Sequence, residues 1–216
     1  MHLVLDLVLN HTSDQHPWFL ESRSSLNNPR RDWYVWRAGK NGDAPNDWAS
    51  TFGGSAWTLD EATGEYYYHY FFKEQPDLNW ENPAVKDAMF DVVRYWFDQG
   101  VDGFRLDAIG TIYETPGLPS HQTGLNLDDI YLGFRKAKDE LEQAQVNHQW
   151  KSLFRHQHDL PELHDLMRAL RSLTDEYADK VLIGETDDIR FYGDGQDELH
   201  LNFNFPLMRT KKITPQ

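Results

Sequence analysis

The stretch GVDGFRLDAIG, from Gly100 to Gly110, sets Arg105 and Asp107 inside an apolar run. Runs of this kind become buried strands. Charges are costly there unless they are paired or used. Side chains alternate along a strand, so Gly103, Arg105 and Asp107 face one way and Asp102, Phe104 and Leu106 the other. A guanidinium beside a carboxylate lowers its pKa and fixes its orientation, which suits a carboxylate that must stay ionised as a nucleophile. The same pattern would serve a structural ion pair. Asp102–Gly103 could instead mark a turn, although the apolar residues continue through it.

Glu185 closes VLIGE in the same manner. Partial burial at a hydrophobic strand end would raise its pKa and make it a general acid. One ionised and one protonated carboxyl on neighbouring strand ends form the apparatus of retaining glycoside hydrolysis. A surface Glu entering the acidic loop of Asp187 and Asp188 would look similar. DLVLNH adds Asp6, Asn10 and His11, the last able to hydrogen-bond a ligand hydroxyl or to sit as a satisfied core histidine. HQHDLPELH offers His156, His158, Asp159 and His164. It lacks an i, i+4 His pair with an intervening Glu, so it reads as a loop and helix start. No metal and no cofactor are expected.

The elements that must hold these groups follow from periodicity. His2 to Leu9 is a near-continuous apolar run, as expected for a parallel strand buried on both faces. From Asn10 to about Asn82 the chain is polar, aromatic and rich in turn residues, with a hairpin over 56–59 and 66–72. NPAVKDAMFDVVRYWFDQG is a helix: Asn82 caps it, Pro83 opens it, Gly100 ends it, and Ala84, Ala88, Val92, Tyr95 and Trp96 share one face. A strand over 101–107, a helix over about 129–147, a helix opened by Pro161, and strands over 181–185 and 198–205 complete the pattern. Alternating strands and helices predict a parallel α/β sheet, whose functional groups gather at the carboxyl ends of the strands.

A chain of 216 residues with a net charge of −14 argues against nucleic acid or an anionic membrane as partner. It has no cysteine, hence no disulfide framework and no thiolate metal site. No apolar run reaches membrane-span length. The N-terminus lacks the charged region and cleavage site of a signal peptide, so a cytoplasmic location is expected. The 8 Trp, 10 Tyr and 12 Phe suit a rich core, or flat platforms for sugar rings in a cleft.

Four motifs in order resemble the α-amylase family of glycoside hydrolases, in its α-glucosidase branch: DLVLNHTSDQHPWF, QPDLNW, GFRLDA and IGE. The resemblance implies a partial TIM (β/α)8 barrel, about strands 3 to 6, with an irregular B domain inserted after the first strand present. Residues 1–11 and 81–216 would belong to the barrel and 12–80 to the B domain. It implies that Asp107 is the nucleophile and Glu185 the acid/base, that His11 and Arg105 line the glucose subsite, and that Phe52 and Phe71 border it. The expected substrate is a small α-glucoside or oligosaccharide cleaved at its terminal α-glucosidic bond with retention. Ala108, beside the nucleophile, goes with α-1,4 linkages in that family. A glucosyl-transferring relative, trehalose synthase-like or sucrose isomerase-like, and a non-catalytic sugar-binding remnant remain as alternatives. The family's later His-Asp signature and its first two barrel strands have no counterpart in these residues. The chain is therefore expected to be a fragment, inactive alone.

Overall fold

A computed structural model describes residues 1–205 and 207. Its strands are β1 (Val4–Leu7), β2 (Trp36–Ala38), β3 (Trp57–Asp60), β4 (Glu65–Tyr68), β5 (Gly103–Leu106), β6 (Val181–Gly184) and β7 (Leu201–Asn202). Its helices are α1 (Pro17–Ser22), α2 (Pro83–Asp98), α3 (Leu127–Lys136), α4 (Glu140–Leu153) and α5 (Glu162–Thr174). Two compact units form. The first holds Met1–Asn10, Lys86–Gly110 and the described residues from Pro161 onward; the second holds His11–Val85 and Thr111–Leu160. Residues 12–80 thus lie in the second unit together with 111–160. No described helix is long and apolar enough to cross a membrane.

The first unit is built on a parallel sheet in the order β1-β5-β6-β7. β5 begins at the Gly of the Asp-Gly dipeptide. The Asp102 carboxylate accepts the Leu3 N–H at 2.6 Å instead of closing a turn. A side chain at Gly103 would place its Cβ 2.3 Å from the Val181 carbonyl oxygen, so only glycine lets β5 and β6 pair here. Phe104 and Leu106 are buried, and Phe104 packs against Phe97 of α2 with ring centroids 4.9 Å apart. Two expectations change. β1 is exposed at Val4 and Asp6, because among the described residues it pairs on one side only, with β5. The last strand spans two residues, Leu201–Asn202, because it pairs only with Ile183 and Gly184 of β6.

The buried stripe of α2 is also corrected. Val85, Met89, Val93 and Phe97 are buried, while Tyr95 and Trp96 are exposed. The helix carries two adjacent apolar stripes. The one with strict i, i+4 spacing forms a continuous ridge, and each of its side chains contributes about 1.5–3 kcal/mol on burial. Asn82 caps as expected, accepting the Ala84 N–H at 3.0 Å.

The second unit holds an antiparallel sheet in the order β2-β4-β3, with Trp36 opposite Tyr67 and Trp57 opposite Tyr68. The hairpin was legible; the third strand, WRA, was too short to read. Trp48, Trp57, Tyr68, Tyr70 and Phe154 form its core with Leu127, Ile130 and Val146. Of the 30 Phe, Trp and Tyr residues, 13 are buried, so much of the aromatic content is core. The helix expected over 129–147 is two helices. Asp139 restarts the chain by accepting the Glu142 N–H at 2.9 Å, and Glu142 reaches back to the Lys138 N–H at 2.7 Å. That Asp-x-x-Glu box is a start signal inside an otherwise helical run.

The histidines of HQHDLPELH serve this packing and the first unit's. His164 bonds buried Glu198 at 2.8 Å, and His158 bonds Asp159 at 3.0 Å. Buried His121 stacks on His156, centroids 5.0 Å apart. Gln157 donates through Nε2 to the Tyr68 hydroxyl and the Ala49 carbonyl, so its Oε1 accepts from His121 Nε2 at 2.8 Å. His121 Nδ1 is then an unprotonated, buried atom with no hydrogen-bond partner. Arg155 donates to His156 Nε2 at 3.1 Å, which leaves His156 Nδ1 to donate to Thr115 Oγ1. Both rings are locked neutral.

Burial first, with the neighbouring Arg155 charge, holds both His121 and His156 below the ordinary 6.5. A base whose folded pKa is depressed contributes stability that is present above its unfolded value and lost as pH falls through the folded one. The melting temperature, followed by near-UV circular dichroism, is expected to fall between pH 7 and pH 5, and His121→Asn is expected to flatten that fall. A protein that melts higher at pH 5 than at pH 7 would contradict the neutral lock.

Candidate active site

The ladder of the parallel sheet runs one residue past its strands. Asp107 N–H donates to the Leu7 carbonyl at 3.1 Å, and Glu185 N–H to the Leu106 carbonyl at 3.0 Å. This brings the side chains of Asp6, Arg105, Asp107 and Glu185 to one end of the sheet, the carboxyl ends of β1, β5 and β6. A single guanidinium joins them. Arg105 Nη1 bonds Asp6 Oδ1 at 2.6 Å and also Asp107 Oδ1, while Nη2 bonds Glu185 Oε2 at 2.8 Å. The Phe203 ring lies 5.8 Å from the guanidinium carbon. Burial works against the Arg105 charge, but the hydrogen bonds it donates to Asp6 and Asp107 and the charges of Glu185 and Asp107 outweigh it and raise its pKa. The ion-pair reading of Arg105 and the site reading thus coincide in one cluster.

Glu185 does not sit in an apolar pocket. Its side chain is 29% exposed and accepts from Arg105 and, at 3.0 Å, from the Ala108 N–H. Both partners fix the carboxylate in place at the end of β6. Ala108 reaches it by adopting φ +41°, a left-handed conformation that a non-glycine residue enters at a cost. Sequence reasoning did not find the Ala108 N–H, because a backbone donor leaves no residue-type signal. Asp6 sat in a quoted motif, and its pairing with Arg105 follows only from the β1–β5 register.

The second unit assembles the remaining candidates. Gln75 Nε2 donates to His11 Nε2 at 2.8 Å, and its Oε1 accepts the Phe72 N–H at 3.2 Å, which fixes the amide and leaves His11 Nε2 as an acceptor. His11 meets Phe71 edge-on, centroids 5.3 Å apart. Phe52 lies 5.8 Å from Phe71 and stacks on Phe72 at 4.2 Å. His11, Phe52 and Phe71 are therefore brought together, with Gln75 as a member that residue type alone does not single out.

The sequence profile of the alpha-amylase catalytic domain matches residues 1–215. The chain belongs to the alpha-amylase family. Its parallel strands, as expected, are those of a TIM-barrel fold. Among its alpha-amylase relatives it is 62% identical to an oligo-1,6-glucosidase of Parageobacillus thermoglucosidasius over 117 residues, which is 54% of this chain and 21% of that protein. It is 37% identical to a probable alpha-glucosidase of Rhizobium meliloti (strain 1021), covering 100% of this chain and 39% of that protein. Among solved structures, isomaltulose synthase from Erwinia rhapontici NX5 matches with a TM-score of 0.77 at 38% identity, over 97% of this chain and 34% of that one. The chain thus spans about a fifth of the length of the first curated relatives it matches.

Arg105 is a half-buried cation that three carboxylates share, so its contribution should fall between those of exposed and buried ion pairs. Arg105→Met is expected to cost about 1–3 kcal/mol in denaturant unfolding at pH 7. Adding Asp6→Asn should restore part of that loss by removing one of the repelling charges. An unchanged denaturation midpoint for Arg105→Met would show that the cluster does not carry this load.

Proposed function

We propose that the chain is part of the catalytic domain of a retaining α-glucosidase-type glycoside hydrolase, with Asp107 as nucleophile and Glu185 as acid/base. The single observation that carries this reading is the shared guanidinium. Two carboxylates from adjacent parallel strand ends reach one Arg105, a closeness that suits retaining chemistry, where the carboxyl groups lie about 5–5.5 Å apart, better than inverting chemistry, which needs about 6.5–9.5 Å. Arg105 orients Asp107 through their ion pair. Asp107 attacks the anomeric carbon as the glycosidic C–O bond breaks, and a proton passes from Glu185 to the leaving oxygen. Attachment to the sugar removes the Asp107 charge. Glu185, left as a carboxylate by the first step, takes a proton from water as the water oxygen bonds the anomeric carbon and the bond to Asp107 breaks. His11, with Phe52 and Phe71 beside it, borders the glucosyl ring, and residues 12–80 serve as the B domain. The small Ala108 side chain leaves room beside the glucosyl ring, which favours an α-1,4 linkage.

A second reading is favoured by the isomaltulose synthase likeness: transfer of the glucosyl group to a sugar acceptor instead of water. The covalent step is the same, and product analysis separates the two, since hydrolysis yields free glucose and transfer yields a new disaccharide.

In the protein carrying this chain, Glu185→Ala is expected to lower turnover of maltose by about 10²- to 10⁴-fold, while an aryl α-glucoside, whose leaving group needs no proton, loses less in the first step. Added azide should restore Glu185→Ala turnover and give an α-glucosyl azide, whereas Asp107→Ala with azide should give the inverted product. The opposite pair of anomers would exchange the two roles, and a wild-type preference for isomaltose over maltose in kcat/KM would refute the linkage.

A further inference from the structure

Phe52 and Phe72 are the most exposed described aromatic rings of the second unit. They are 56% and 54% exposed, whereas Trp48, Trp57, Tyr68 and Tyr70 of the same unit are all below 5%. They stack nearly parallel, 4.2 Å between centroids and 21° between planes. The pair continues an arc of rings that begins at His11 and passes through Phe71 to Phe52.

Both rings are fixed from the backbone outward. Ser50 Oγ donates to the Phe71 carbonyl at 2.6 Å and accepts the Phe52 N–H at 3.2 Å, which ties the two segments together. Gln75 closes the other side: its N–H donates to the Phe72 carbonyl at 2.8 Å, its Oε1 accepts the Phe72 N–H, and its Nε2 holds His11. Tyr131 hydroxyl donates to the Thr51 carbonyl, holding the Phe52 loop from a third direction. A ligand meeting these rings would find them already ordered, so little conformational entropy is lost on binding. Aromatic faces attract apolar C–H surfaces and other rings.

We propose that Phe72, stacked on Phe52, forms a platform for the group attached to the glucosyl unit, either the apolar face of the next sugar ring or an aryl aglycone, and so determines specificity. The inference rests on the reading of His11, Phe52 and Phe71 as the border of the glucosyl ring. Phe72 is the discriminating member, because it touches Phe52 and the backbone of Gln75 but has no ring contact with His11 or Phe71 among the described residues.

The test is a calorimetric or NMR titration of the 216-residue chain with methyl α-glucoside, which offers the glucosyl ring alone, and p-nitrophenyl α-glucoside, which adds an aryl ring. The wild-type chain is expected to bind the aryl probe more tightly than the methyl one, by about 3- to 10-fold. Phe72→Ala should erase that preference and leave methyl α-glucoside affinity unchanged, and Phe72→Trp should keep it. Because Phe72 is exposed, all variants should share the wild-type circular dichroism spectrum. Equal loss of both probes in Phe72→Ala, or a preference that survives it, would overturn the platform while leaving the glucosyl border standing. A wild-type chain that binds neither probe would overturn the border reading, and the platform with it.

Discussion

One cation has to satisfy three anions. Arg105 enters the end of the parallel sheet with its guanidinium between Asp6, Asp107 and Glu185. A planar fork with donors on both nitrogens is the one side chain that can meet carboxylates from three strands at once. The sheet register follows from it as much as it follows from the sheet. Slipping β1 against β5 by one residue would move Asp6 away from Arg105 and turn its side chain to the other face. The Ala108 N–H, just past the end of β5, adds a backbone donor to Glu185.

The chemistry proposed for the site uses this shared charge as a balance. A carboxylate pair on one guanidinium cannot both gain from it equally once one of them becomes an ester. The environment around Glu185 therefore changes during the reaction, not merely between protein and water.

The second unit solves a different problem. Its core is aromatic, and aromatic cores carry polar edges that need partners. Trp48 Nε1 donates to the Pro119 carbonyl at 2.8 Å, Trp57 Nε1 to Asn46 at 2.7 Å, and the Tyr68 hydroxyl accepts from Gln157. The His121–His156 stack completes this network with both rings neutral. Rigidity gained this way reaches the surface at Phe52 and Phe72, whose loops are bonded through Ser50, Gln75 and Tyr131.

Residue type and spacing alone carried the parallel sheet, the hairpin, the Asn82 cap and the pairing of Arg105 with Asp107, because each is a local pattern: alternation, a turn, a cap, an i, i+2 neighbour. The four motifs carried the family. Tertiary structure decided the rest. Two apolar stripes on α2 were equivalent in sequence, and packing chose the one through Val85 and Phe97. Asp139 broke a helix that periodicity ran through, because its cap competes with the helical bond. Asp6 and Ala108 joined the Arg105 cluster through register and backbone conformation, and Gln75 joined the His11 group through a fixed amide. None of these is written in a residue's type; each depends on which atoms the fold brings within hydrogen-bonding reach. The surroundings of Glu185 differed from expectation for the same reason. Its position at an apolar strand end is local, whereas its charge partner lies eighty residues away on the neighbouring strand.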